Sequence, residues 1–318
     1  MAKKEKATPN HELTKLIERA RANIGTRTDA EMDEWERSHS SYPIKQATDE
    51  IKSHISKQDP EHEQRIFSFL PTKMTRISPF FPLSKREMKD RPLEKLTWDN
   101  PWGKLTVTGE RLSIHDESVL LAVLSLMRKH QTETFHTTRY ALCKVMGITP
   151  AKDTYRMVWE SLDRLTGTKI NLSVWDAKTK GKKRKTKRQM VNTILSGADQ
   201  DEDTGKILIT VNPYFIQMYG ESFITNLDLQ FRTMLAGDIT KALYRFYEGQ
   251  RERMYQCHLL TLAKAINLNM ELPNNELRKR ARKGLRDLRK KKYLRRWTIS
   301  KSDIVTVWKK TCSIKPTT

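Results

Sequence analysis

Between positions 274 and 297 the chain reads NNELRKRARKGLRDLRKKKYLRRW, and past Leu277 its only acid is Asp287. On the 3.6-residue period of a helix, Leu277, Ala281, Leu285 and Leu288 share one face, while Arg278, Lys279, Arg282, Lys283, Arg286, Arg289 and Lys290 cover the remainder. Solvated helix faces normally interleave acids with their cations, so this pattern describes a helix docked by its apolar stripe and cationic outside. The chemistry open to such a surface is hydrogen bonding and charge neutralisation. An Asn amide matches the paired donor and acceptor of an adenine edge, an Arg fork matches the two acceptors of guanine, and any of these cations suits a phosphate oxygen. At the N-terminal end Asn274, Asn275, Arg278, Lys279 and Arg282 are the candidates for base edges, and Lys283, Arg286 and Arg289 for phosphate.

A second cationic run, KTKGKKRKTKR over residues 178–188, lies between two strand-like stretches, in the first of which Ile170, Leu172 and Val174 alternate. As the tip of a hairpin it would offer Lys182, Lys183, Arg184, Lys185, Lys187 and Arg188 to phosphates; the same composition also suits a solvated loop. Lys152 and Arg156 form a weaker third candidate, because Asp153, Glu160 and Asp163 offset them, and they fit light DNA contact or protein association. Enzyme chemistry has little to stand on. There is no GxxxxGK[ST] phosphate loop, and His54, His62, His115, His130, His136 and His258 never take the His-apolar-His spacing of a nickase metal site. We therefore expect no catalytic residue, metal or cofactor.

Composition agrees with a polyanionic partner. The 318 residues carry 60 Lys and Arg against 38 Asp and Glu, a formal charge of +22, with a pI near 9.9. No apolar run approaches the ~18 residues that span a bilayer, and the start, MAKKEKATPNHEL, has no secretory core, so a cytoplasmic location is expected. Cys143, Cys257 and Cys312 are far apart and make no CxxC pair, which predicts single buried thiols.

The elements that must position these residues can be read along the chain. Residues 1–70 are polar, with one short amphipathic stretch over 11–22 and too few apolar residues for a core, and predict a flexible tail. A proline-spaced segment from position 71 should wrap the first domain. KLTVTGERL predicts a short strand or hairpin. Helical spacing follows around Val119, Leu120, Val123, Leu124 and Met127, then from Thr138 to Gly147, then across Tyr155, Val158, Trp159, Leu162 and Leu165. Strand patterns TKINLSVWD, QMVNTILSG and KILITVN come next. Three helices and then a hairpin is the order of a winged helix-turn-helix. A similar order returns in helices over 238–250, 259–268 and 274–291 and a hairpin around Lys301, Ser302 and Asp303. The fold expected is α+β, with two tandem winged helix-turn-helix domains over 71–220 and 221–318 behind the tail.

Three segments carry a family resemblance: TVTGERLSIHDE, with Thr106, Thr108, Gly109, Leu112, Asp116 and Glu117; YALCKVMG, with Tyr140, Leu142, Cys143 and Gly147; and YRMVWESLDRL, with Tyr155, Glu160, Leu162, Arg164 and Leu165. Taken in order they resemble plasmid replication initiators of the TrfA type. That resemblance implies a non-enzymatic protein that binds repeated sites, iterons, in double-stranded origin DNA and opens the neighbouring duplex. It further implies recruitment of the host initiator DnaA and the replicative helicase, and control by a monomer-dimer balance. Some members carry a peptide for the host sliding clamp, and Gln64, Phe67 and Phe69 resemble a degenerate version; an apolar segment tucked onto the first domain would read the same way. A winged-helix transcriptional repressor, with its own gene as one candidate target, is the competing expectation.

Overall fold

The computed structural model describes residues 66–83, 94–100, 103–175, 186–215, 224–250 and 252–310. The expected tail up to position 65, with its short helix and Gln64, lies outside them, as do Lys182, Lys183, Arg184, Lys185 and Cys312.

Strand β1 (Phe67–Pro71) leads into a short helix, α1 (Thr72–Arg76). Of the proline-spaced segment, residues up to 83 are described: Met74, Ile77 and Phe80 are buried, and its contacts reach beyond the first domain, with Arg76 donating to the Gly249 carbonyl at 3.0 Å. Residues 67–70, assigned by composition to the tail, are part of the folded body. The predicted KLTVTGERL strand is β3 (Gly103–Gly109), joined by an unpredicted partner, β2 (Glu94–Asn100). With β5 (Lys169–Trp175) and β6 (Thr186–Thr193) they form one antiparallel sheet in the order β2-β3-β5-β6.

Between β3 and β5 lie α2 (Ile114–His130), β4 (Thr134–Thr138), α3 (Arg139–Met146) and α4 (Lys152–Gly167). Sequence explains where they start. Ser113 opens α2 with a capping box: its hydroxyl accepts the Asp116 N–H at 3.3 Å, and the Asp116 carboxylate accepts the Ser113 N–H at 2.6 Å. Thr138 caps α3, and Gly147 ends it in the left-handed region.

QMVNTILSG is not one strand. The chain leaves β6 at Thr193, buries Ile194, and enters β7 (Leu195–Gln200), which pairs with β8 (Lys206–Val211) in a separate sheet ordered β4-β8-β7. Asn212 secures the crossing: its amide group donates to Asn192 Oδ1 at 2.6 Å and its backbone N–H to the Ile194 carbonyl at 3.1 Å, so the backbone polar groups of the switch stay satisfied.

The remaining elements are β9 (Ile224–Asp228), α5 (Leu229–Thr233), α6 (Asp238–Glu248), β10 (Met254–His258), α7 (Leu259–Ala265), α8 (Asn274–Lys290), β11 (Leu294–Ile299) and β12 (Ile304–Lys309). The predicted closing hairpin forms in register, with Trp297 opposite Val307 and Ile299 opposite Val305, and β10 joins it in the order β10-β12-β11. Helix, strand, helix, helix, strand, strand thus occurs twice, as α2-β4-α3-α4-β7-β8 and α6-β10-α7-α8-β11-β12. In both, the first strand pairs with the third. The hairpin β5–β6 is an insertion in the first copy.

Close contacts join the two copies. β1 pairs with β9, Phe67 opposite Asp228, and the Asn267 amide donates to the carbonyls of Ser78 at 2.6 Å and Phe80 at 2.9 Å. Glu117 on α2 accepts Arg232 of α5 at 2.8 Å and Arg245 of α6 at 2.7 Å.

Candidate nucleic-acid interface

Helix α8 docks as its pattern predicts. Leu277, Ala281, Leu285 and Leu288 are buried, and Gly284 joins them because a Cβ there would stand 2.6 Å from Leu243 Cδ1. The missing side chain lets α8 lie close on α6. Asn274, Asn275, Lys279, Arg282, Lys283, Arg286 and Arg289 are all exposed, and Lys279 reaches Glu276 at 3.3 Å. Exposed Lys290, Lys291, Lys292, Arg295 and Arg296 extend the positive surface beyond the helix into β11. Arg296 also lies over the Trp308 ring, 5.2 Å from its centroid.

Two of the predicted base-reading residues converge on an acid that the sequence reading passed over. The Asp303 carboxylate, in the β11–β12 turn, accepts the Asn274 amide at 2.5 Å and the Arg278 Nε–H at 2.9 Å, and also Arg278 Nη2. The Asn274 amide and the Arg278 guanidinium hold its carboxyl below the usual carboxylate range. The only signal was an acid inside a turn beside a basic helix.

The first copy differs in charge. Lys152 and Arg156 on α4 are exposed, but Arg156 is flanked by Asp153 at 3.2 Å and Glu160 at 3.8 Å on its own helix. Its β7–β8 turn is acidic: Asp201 accepts from the backbone of Asp203 and Thr204 and from the Thr204 hydroxyl at 2.7 Å, with Glu202 between. Here the sequence expectation needs correcting. The basic run over 178–188 does connect two paired strands, β5 and β6, but they belong to the inserted hairpin and its four-stranded sheet. The strand pair that sits on α4 is β7–β8. Of the six cations of that run, Lys187 and Arg188 lie on β6; the other four are outside the described residues.

Phe67 and Phe69 sit in β1. Phe69 is buried, and between them the Ser68 hydroxyl donates to the Leu121 carbonyl at 2.7 Å. A clamp could take this segment only if β1 left β9.

The family-like motif residues are mostly structural. Asp116 pairs with Arg164 at 2.9 Å, fastening α2 to α4, and Gly147 closes α3. Cys143 is buried, and burial pushes the Cys257 thiol up to about 12. Among the described residues no three His, Cys, Asp or Glu side chains are grouped to hold a metal ion, and no helix is long and apolar enough to cross a membrane.

Residues 73–297 match the family described as RPA, replication initiator protein A. No curated protein is a significant match. Among solved structures, a crystal structure of domains 2 and 3 of RctB is 12% identical, covers 76% of this chain and 98% of that chain, and has a TM-score of 0.48. A crystal structure of Pi initiator protein in complex with iteron DNA is 14% identical, covers 62% of this chain and 91% of that chain, and has a TM-score of 0.45.

Proposed function

With its residues 73–297 matched, the chain belongs to the replication initiator protein A family, and from that we propose that it is a plasmid replication initiator that binds iterons in double-stranded origin DNA through two tandem winged-helix units. The observation that carries the DNA-binding step is α8: an apolar face locked onto α6, and an opposite face where exposed cations run from Lys279 to Lys290. A helix so held presents its N-terminal residues to a major groove and its later cations to phosphates. The first unit, with its acidic turn and near-neutral α4, contributes to DNA chiefly through the basic run of the inserted hairpin.

Binding of this kind needs no cofactor. Opening of the origin follows from binding energy and from recruitment of DnaA and the replicative helicase in the cytoplasm, with self-association as a dimer setting how much protein is active. Footprinting on the DNA that flanks the gene tests the reading. Protected direct repeats beside an AT-rich stretch are expected, and supercoiled DNA incubated with the protein and Mg²⁺ should stay covalently closed. Protection confined to a promoter, or a tyrosine-linked nick, would contradict it.

A further inference from the structure

We propose that Asp303 is a positioning residue for base recognition, an inference that rests on reading α8 as the helix in the groove: its carboxylate holds Arg278 by the Nε–Nη2 edge of the guanidinium and leaves Nη1 to lead onto a guanine. Asp303 is placed to do this. It stands at the end of the β11–β12 turn with φ 59°, in the left-handed region where Asp and Asn are the favoured residues after Gly. Its side chain is fixed from several directions. The backbone N–H donates to the Ser300 carbonyl at 3.2 Å, and its own carbonyl accepts the N–H of Leu259, the first residue of α7, at 2.8 Å. The carboxylate then takes Asn274 and Arg278 of α8. One residue of the hairpin therefore keys both helices of the helix-turn-helix, α7 by its main chain and α8 by its side chain.

The guanidinium geometry gives the inference its direction. Nε and Nη2 of Arg278 both face Asp303 Oδ1, and Nη2 also reaches the Lys301 carbonyl at 3.3 Å. Reading guanine takes two parallel N–H groups onto O6 and N7. Nη1 makes no hydrogen bond among the described residues and supplies one of them; Nη2 supplies the other by exchanging the 3.3 Å contact with the Lys301 carbonyl for the base, and the side chain keeps 26% exposure. An unheld arginine gives up its rotamer freedom on meeting DNA, whereas here that ordering belongs to the folded protein. Asn274, on the same carboxylate, is oriented by the same contact.

The sign of the effect separates this role from simple charge. A carboxylate beside DNA repels phosphate, so if Asp303 acted only as a charge its removal would tighten binding to every duplex. A positioning role predicts the reverse for the correct sequence. Asp303→Asn removes the charge and keeps a residue that tolerates the left-handed backbone; Asp303→Gly keeps the backbone and removes the side chain. Both are compared with the full-length parent in competition titrations on a direct-repeat duplex and a scrambled duplex, at one salt concentration and below the melting transition of every variant. Each should lose about tenfold or more on the repeat while holding or gaining on the scrambled DNA. In an Arg278→Ala background, Asp303→Asn should cost nothing further on the repeat. An unchanged ratio between the duplexes, or full additivity with Arg278→Ala, would overturn the proposal. Arg282→Ala, which does not touch Asp303, separates the two levels: if it lowers repeat binding while the Asp303 variants leave the ratio intact, only the positioning role fails; if it changes neither duplex, the reading of α8 fails and this inference with it.

Discussion

Glu117 sits fully buried between two buried arginines, 115 and 128 positions away in the chain; Arg245 reaches it through Nη1, and its Nε and Nη2 have no hydrogen-bond partner among the described residues. Removing the acid would strand two cations, and breaking a buried pair from one side costs about 3–5 kcal/mol. Glu117→Gln should therefore lower unfolding stability by that order in urea titrations; a loss under about 1 kcal/mol would mean the cluster is solvated. Its neighbour Asp116 is pulled both ways: burial raises its carboxyl, while Arg164, with hydrogen bonds from Ser113 and Ser161, wins and holds it below its ordinary 3.8. A depressed folded pKa contributes stability that is complete above pH 3.8 and disappears as pH falls through the lower folded value. Asp116→Asn should accordingly flatten the steep acid limb of a pH-stability curve below about pH 4, read by circular dichroism. A Ser three residues before an Asp is a local spacing that could have announced the Ser113–Asp116 cap. The partners of Asp116 and Glu117 were not legible, because nothing in the spacing of a sequence says which distant arginine shares a buried pocket. Asp303 was hidden for the same reason.

Helices were more legible than strands, and the particular misses say why. The amphipathic runs of α4 and α8 repeat their apolar stripe over several turns, α2 is a long run buried without a break from Val119 to Leu124, and the β11–β12 hairpin pairs regularly from Arg296 onward, past a bulge between Leu294 and Arg296. The strands β4, β9 and β10 are five residues each, TFHTT, ITNLD and MYQCH, too short and polar to stand out, and each runs straight into the cap of the next helix at Thr138, Asp228 or His258. Within QMVNTILSG the apolar residues come in adjacent pairs, Met190-Val191 and Ile194-Leu195, with no turn residue between them, so the pattern did not mark the break at Ile194. Gly147, read from sequence as a helix stop, has a second task. With φ 66° it closes α3, and a Cβ would stand 2.6 Å from Thr233 Cγ2 of α5. Gly147→Ala should destabilise by about 1–2 kcal/mol from the left-handed backbone alone, plus a contact penalty that Thr233→Ala relieves. Chemical denaturation of the single and double variants measures both parts; an unchanged midpoint for Gly147→Ala would mean that α3 ends differently.

Across the whole molecule, the net charge of +22 is unevenly spread. The second copy carries a continuous cationic face on α8 and β11, and the first carries an acidic β7–β8 turn and a basic inserted hairpin. Such a distribution agrees with the proposal that α8 reads sequence and the inserted hairpin grips backbone. Replacing Lys182, Lys183, Arg184 and Lys185 with Ala should weaken specific and random duplexes alike and flatten the salt dependence of log K by about 0.9 per lost phosphate contact. An unaltered slope would leave the hairpin without a part in DNA binding. Whether α8 reads the origin is decided by titrating the whole chain and its Arg282→Ala variant against a duplex bearing the direct repeat beside the gene and against a scrambled duplex, at one fixed salt concentration. A bidentate base contact from Arg282 implies a loss of about 1–3 kcal/mol on the repeat and a far smaller loss on the scrambled DNA. An equal loss on both duplexes, or none on either, would contradict it.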